Sequence, residues 1–457
     1  MEVDGKYIVG LRHSKLRDTS ISVFSSVISA FIGLFVGFLL MLFAMIFTNG
    51  ANAFAGLGIM FAGPFNGTYV ALEFGNMIFY SVPIIFTGLS ITLAYKTGLF
   101  NIGAPGQFFM GTLGCLLVAL NINTVGNRFL GILVWILAII VGLIFGMIWG
   151  SLAGLLKAFF GINEVIASIM LNWISANIVT WVFSLNSSII NSDAGKSGYL
   201  IKTAQTGNFS PSLGLDQLFS GGTSKSYIDI GIIFAILMCV IVWVLLNKTT
   251  IGYSMKACGS NREAAKYAGI NDKKNIIFAM TFAGGLAALG GCFYFLNPNI
   301  EFAFNSAYQN LPAWGFNGIP VAFLANCHPL GVLVSALFVR YLNSSGTYLP
   351  VAGYNQYFAD IIIAVIIYLS GFTRFFKERI DRFVLRREEK RAQASKEIEG
   401  VVAEVTSKKE PNAFVKFFIN AKDYVVHLFN KIFKREKKTS ENEEVVEKKE
   451  ETEGGDK

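Results

Sequence analysis

Between Ser22 and Phe372 the chain is a succession of apolar runs, most of them about long enough to cross a bilayer as helices, parted by short polar breaks. Apolar residues make up 53% of the chain, charged residues 15%, and mean hydropathy is +0.53. Such a chain is an all-α polytopic membrane protein. The bilayer sets its core, so length does not count domains. The predicted organisation is a cytosolic N-terminus over 1–21, a transmembrane domain over 22–373 and a charged cytoplasmic tail over 374–457.

Spans are expected at about 23–47, 76–95, 105–120, 129–156, 164–185, 227–246 and 275–296. Two shorter pieces, about 314–325 and 329–342, are broken by Asn326-Cys327-His328-Pro329 and read either as a tightly turned pair or as a re-entrant segment. A last span is expected at about 357–372. With the pair counted as two, there are about ten transmembrane helices and both termini are cytosolic. Lys6, Arg12, Lys15 and Arg17 hold the N-terminus inside, as does the basic run from Arg374 for the C-terminus. The connections assigned outside, 48–75, 186–226 and 297–312, are poorer in Lys and Arg for their length than the loop at 247–275. The basic start imitates a signal peptide, but the apolar run Ser22–Phe47 is too long for an h-region, so an uncleaved first span is expected. The net charge of +8 therefore reflects topology rather than nucleic-acid binding.

The chemistry available to this chain is limited. Ionisable groups are costly in hydrocarbon, and Lys96, Lys157, Glu164, Asp229 and Asp360 fall near span ends. Glu164, Asp229 and Asp360 sit in first turns, where the helix dipole favours an anion. A proton- or sodium-coupled carrier is disfavoured on that pattern. Gly195-Lys196-Ser197 imitates the end of a P-loop, but Ile190 stands where its first glycine belongs. The three histidines, His13, His328 and His427, are far apart, and the five cysteines show no CxxC spacing, so no metal site is expected. The cysteines read as buried small residues or one reduced cytosolic thiol. The tail carries alternating charge blocks, with an amphipathic helix expected at about 413–433, lying on the inner leaflet or packed on a partner.

The polar stretch 247–275 carries six Lys or Arg and only Glu263 and Asp272 as acids. Ser260 or Asn261 can cap a short helix from Arg262 to Ala268, with Glu263 in its first turn and Gly269 ending it. On spacing alone this is either an ordinary basic loop or a surface gripped by another protein.

The segment Lys256-Ala-Cys-Gly-Ser-Asn-Arg-Glu-Ala-Ala-Lys-Tyr-Ala-Gly-Ile270 resembles the cytoplasmic coupling loop of ATP-binding-cassette importer permeases, in the branch serving branched-chain amino acids, simple sugars and nucleosides. The resemblance covers about 69–371. Gly98-Leu99-Phe100-Asn101-Ile102-Gly103-Ala104-Pro105-Gly106-Gln107 is similar to the glycine-rich segment before the third span of nucleoside permeases. Asn163 to Asn172 is similar to the opening of the family's fifth span, and Trp314 to Gly331, with Asn317, His328 and Pro329, to its late segment.

The resemblance implies a permease domain that imports a small solute, most directly a nucleoside, with a simple sugar or branched-chain amino acid as the alternative. The chain itself is not an enzyme and binds no cofactor. ATP and Mg would sit on a partner ATPase. The implied partners are that ATPase, a second related permease, an extracellular substrate-binding lipoprotein and the lipid of a prokaryotic plasma membrane. Gly259, Asn261, Glu263, Ala264, Ala265 and Gly269 would couple to the ATPase.

For substrate, the candidates are Asn101, Gln107, Asn172 and Asn317. Glycines and proline before the third span break the helix, and such backbone is tolerated at depth only inside protein or beside a water-filled cavity. Asn101 and Gln107 then line the path, or the segment is an inner turn with Asn101 as its cap. Asn172, about two turns into its span, needs a partner on another helix or on substrate. Trp173, Trp314 and Phe316 either stack on a base or anchor span ends at the membrane interface. A membrane scaffold or sensor acting through the tail is the reading from another class.

Overall fold

In a computed structural model the described residues are 36–122, 124, 127–185, 212–221, 224–303 and 310–371. They belong to one compact unit, Ser22–Lys377. The P-loop imitation at Gly195 and the amphipathic segment at 413–433 lie outside the described residues.

The chain is helical throughout its regular structure here. In order, the helices are α1 (Val36–Asn66), α2 (Val70–Lys96), α3 (Ala104–Asn121), α4 (Arg128–Phe160), α5 (Glu164–Leu185), α6 (Gly231–Lys248), α7 (Thr250–Ser260), α8 (Arg262–Tyr267), α9 (Asp272–Phe295), α10 (Ala313–Leu324), α11 (Pro329–Gly346) and α12 (Phe358–Gly371). Among the described residues seven helices, α1 to α6 and α9, are long and apolar enough to cross a membrane. Helices α10 and α11 meet that test only together and are bent by 118° at their break.

Two sequence expectations change. The stretch 48–75 is not an open connection, because α1 runs on through 3-10 turns at Gly50–Asn52 and Gly63–Asn66, and α2 starts at Val70. The physical reason is that Ala53–Ala62 is wholly apolar, so its missing Lys and Arg signal an apolar helix as readily as an outer loop. Its irregular turns are tied down by later side chains: Tyr354 Oη donates to Asn49 O at 2.6 Å, and Ser345 Oγ donates to Met60 O at 3.1 Å. The stretch 247–275 holds two helices rather than one, since Thr249 Oγ1 accepts from Gly252 N at 3.1 Å and starts α7.

Helix α2 is the axis of the fold, with 89% of its most apolar window buried. Helix α9 packs along it and α3 packs on α9, both also largely buried, whereas α1, α4, α5 and α6 show most of their surface. Lipid gives helices no hydrophobic reason to associate, so close backbone contact between small residues must do it. Helix α4 supplies them at every fourth position: Gly142, Gly146, Gly150 and Gly154. A Cβ on Gly146 would meet Gly284 O at 2.7 Å, and one on Gly150 would meet Gly284 Cα at 2.8 Å. From α3, a Cβ on Gly111 would meet Ala288 Cα at 2.5 Å. The α3–α4–α9 seam is thus built at backbone distance.

Helices α10 and α11 form a hairpin laid along α2. Gly318 abuts Thr87 and Gly88, and Phe323 packs on Tyr95 with ring centroids 5.3 Å apart near the α2 C-terminus. The chain then turns at Asn326 and Cys327, both with positive φ (54° and 50°), and His328 Nδ1 accepts from Gly331 N to start α11. On the way back Val332 returns to Gly88, and Arg340 reaches Tyr80.

Overpacking that seam should destabilise it by about 1–3 kcal/mol or more per site. Gly146→Leu is expected to lower the melting temperature or yield aggregated protein by size-exclusion chromatography in detergent. Ile144→Ala, on an exposed face of the same helix, should behave as wild type.

Candidate functional site

Helix α8 is a short, well-ended structure at the surface. Asn261 Oδ1 accepts from Ala264 N at 3.0 Å, as an N-cap should. At the other end Ile270 N donates to Ala265 O and Gly269 N to Lys266 O, with Gly269 at φ +79°. These are the paired bonds of a Schellman stop. Asn261, Glu263, Ala264 and Gly269 are exposed, while Ala265 is buried and seats the helix. Lys266 Nζ donates to Glu263 at 3.0 Å and lies 3.7 Å from Asp272. The Glu263 hydrogen bond holds the Lys266 ammonium above its ordinary range. The sequence reading passed over Tyr267, which is 93% exposed at the end of α8. An aromatic ring left that bare in so short a helix was visible in the sequence as a tyrosine opposite the seating face.

Helix α7 joins this surface to the membrane core. Cys258 is buried on it, and burial, with the Asp272 carboxylate nearby, pushes its thiol up. Gly259 lies directly on the turn that ends α2. A Cβ there would meet Gly98 N at 2.9 Å, and one on Gly98 would meet Gly259 Cα at 3.1 Å. Gly98 itself sits at φ +75°, so glycine is required by conformation as well as by space.

From Gly98 the chain climbs back along α2 as irregular backbone. Asn101 Nδ2 donates to Ser90 Oγ at 2.9 Å, which places Asn101 beside a residue about 9 Å above Lys96 on the helix. Asn101 Nδ2 also donates to Gln107 Oε1 at 2.8 Å, and Gln107 Nε2 returns a bond to Asn101 Oδ1 at 3.1 Å. Asn172 of α5 closes the group: its Oδ1 accepts from Gly106 N at 2.9 Å and its Nδ2 donates to Ile102 O at 3.0 Å. All three amides are fully buried. They bind one another and the backbone, so Asn101 is not a helix cap. Gly103 takes the N-cap position of α3 without a side-chain bond. Ser168 Oγ is buried at the rim of this group and makes no hydrogen bond among the described residues.

The remaining candidates separate. Asn317 is half-buried on α10, and no hydrogen bond to it is found among the described residues. Trp173 and Phe316 are exposed. Trp314 instead stacks on Tyr80, with centroids 5.8 Å apart and planes 3° apart. Glu164 gains an ion pair with Lys157 in addition to its first-turn position. The ionisable group that the span-by-span reading missed is Arg340, well inside α11 and over the Tyr80 and Trp314 rings at 5.1 and 5.5 Å. It was legible as a lone arginine in the apolar run from Pro329. A permanent cation of this kind does not carry protons.

A family profile described as "Branched-chain amino acid transport system / permease component" matches residues 74–371. The chain belongs to this permease family. Among relatives, it is 32% identical to the guanosine ABC transporter permease protein NupP of Bacillus subtilis over 324 residues, 71% of this chain and 87% of that one. It is 32% identical to the nucleoside ABC transporter permease protein NupB of Lactococcus lactis over 291 residues, 63% of this chain and 75% of that one. It is 28% identical to the glucose ABC transporter permease protein TsgB13 of Haloferax volcanii over 324 residues, 70% of this chain and 80% of that one. No solved structure matches.

Asn172→Ala would orphan the Gly106 N–H and the Ile102 carbonyl, at a cost of about 1–3 kcal/mol for each buried group left unpaired. A lower melting temperature than wild type in detergent is expected, and Asn172→Gln should not restore it because the longer amide overshoots both partners.

Proposed function

We propose that this chain is the transmembrane permease subunit of an ATP-driven importer that carries nucleosides across a prokaryotic plasma membrane. The observation that carries the substrate is the likeness to the guanosine and nucleoside permeases over most of the chain. The likeness to a glucose permease supports import of a simple sugar as the second reading.

The drive comes from outside the chain. A partner ATPase holds ATP and Mg, a second related permease completes the pathway, and an extracellular lipoprotein delivers substrate. In this reading α8 seats in a cleft of the ATPase, with Glu263 and the bare Tyr267 ring as its grip, while Asn261 and Gly269 fix its two ends. Closure of the ATPase pushes α8 and α7. The push passes at backbone distance from Gly259 to Gly98, and thence to the buried Asn101–Gln107–Asn172 group that ties α2, α3 and α5. A glycine-to-glycine contact transmits displacement well because no flexible side chain lies between.

Topology follows the same logic. The α10–α11 axes turn by 118°, so the pair doubles back and enters and leaves on one side. Both termini are then cytosolic whether the pair is counted as two of about ten segments or as a re-entrant dip.

Uptake of labelled guanosine into expressing cells should disappear when the neighbouring ATPase is catalytically dead. Uptake that survives would overturn the ATP-driven reading. Glu263→Lys, or deletion of Ala264 and Ala265, should abolish uptake at unchanged membrane abundance. Gly259→Val should keep the ATPase bound and hydrolysing while uptake falls at least about tenfold, the mark of uncoupling; a transporter that tolerates it excludes the glycine route. Deletion of 378–457 should leave transport intact, whereas a scaffold acting through its tail would fail.

A further inference from the structure

Helices α2, α9, α10 and α11 bring together side chains that the coupling route does not use. Tyr80 stacks on Trp314, and Tyr294 lies 5.1 Å from Trp314 and 6.3 Å from Tyr80, centroid to centroid. Arg340 lies over both the Tyr80 and Trp314 rings. All four residues are half-buried, so each keeps part of its surface open. The platform is held firmly. Thr87 Oγ1 donates to Trp314 O at 2.9 Å, and a Cβ on Gly315 would meet Pro105 Cα at 2.5 Å.

What the cluster lacks is a hydrogen-bond acceptor for the arginine, on which the Asp360 carboxylate acts only from beyond ion-pair distance. Arg340 makes no salt bridge among the described residues, and its Nε is buried without a hydrogen bond. Aromatic faces attract a guanidinium but leave its in-plane N–H donors unused. A guanidinium in an apolar helix with no hydrogen-bonded acceptor is a costly feature for a membrane protein to keep. The group that would satisfy it must be planar, to lie among rings, and must present acceptors along one edge.

We infer that Tyr80, Tyr294, Trp314 and Arg340 form a base-recognition site, selective for nucleobases that carry a ring carbonyl. The inference rests on the nucleoside-importer reading and deepens it. The base stacks on the aromatic rings, and Arg340 donates to its carbonyl edge. A 6-oxopurine offers O6 and N7 side by side, matching the donor-only guanidinium fork. Adenine offers N7 beside an N6 donor, which sets N–H against N–H. The site therefore favours guanosine and inosine over adenosine.

The test uses the full transporter, purified with its partner subunits in nanodiscs without the external binding protein, so that selectivity belongs to the membrane part. Equilibrium binding of labelled guanosine, adenosine and glucose is measured. Wild type should bind guanosine about tenfold or more tighter than adenosine, the discrimination of one bidentate pair, and glucose weakest. Arg340→Gln should weaken guanosine about tenfold and bring adenosine level with it or above, because glutamine pairs with the adenine N6/N7 edge. Arg340→Lys keeps the charge and loses the fork, so guanosine should weaken without adenosine gaining. Trp314→Leu should weaken both bases alike.

A wild type without preference for guanosine, or either arginine variant with the wild-type guanosine-to-adenosine ratio, would overturn the inference. Should Arg340→Gln fail to reach the membrane, Arg340→Lys decides. Cells that take up nucleosides while the purified transporter binds none would sink this site and spare the importer reading. Failure of both uptake and binding for every nucleoside would remove the reading beneath it.

Discussion

Where a polypeptide runs through hydrocarbon, each of its backbone N–H and C=O groups needs a partner within the protein. Regular helices meet that demand by themselves. The segment from Gly98 to Gly103 does not, and it lies folded back against α2 at the depth of Ser90. It exists there because Asn101, Gln107 and Asn172 supply the missing partners. Three side-chain amides replace part of a helix. Those side-chain bonds hold the segment as a defined structure although it is not helical.

The same demand explains the other irregular features. The 3-10 turns in α1 release carbonyls that Tyr354 and Ser345 accept responsibility for through their hydroxyls. The α10–α11 turn is closed by His328 Nδ1 on Gly331 N. Each of these breaks in helical structure is thus answered by a polar side chain, distant in sequence for α1 and local for the α10–α11 turn. Arg340 differs in being a permanent charge inside an apolar helix whose Nε no described residue answers with a hydrogen bond.

Much of the candidate coupling surface was legible beforehand. Asn261, Glu263 and Gly269 announced a capped, stopped helix because caps and stops are local: their bonds reach only a few residues along the chain. The contact between Gly98 and Gly259 was not legible, since it joins positions far apart in sequence and involves no side chain. The partners of Asn172 were equally hidden. The sequence showed an amide that needed a bond, and the fold supplied Gly106 and Ile102. The stretch 48–75 was read as a connection because charge depletion marks both outer loops and apolar helices, and only packing on Tyr354 and Tyr341 separates them.

By itself the sequence determined the class, six of the seven long helices, the bounds of α8 and the motifs that tie the chain to its family, because hydrophobic length, capping and motif spacing are properties of contiguous residues. Tertiary structure alone decided which helices are central, that α10 and α11 double back along α2, that the amides of Asn101 and Gln107 bind each other while Asn172 binds the backbone beside them, and that an arginine from one helix lies over aromatic rings from two others. Those outcomes depend on which small residues let two backbones approach. A sequence lists the glycines of α4 and α9, but only packing shows that they face each other.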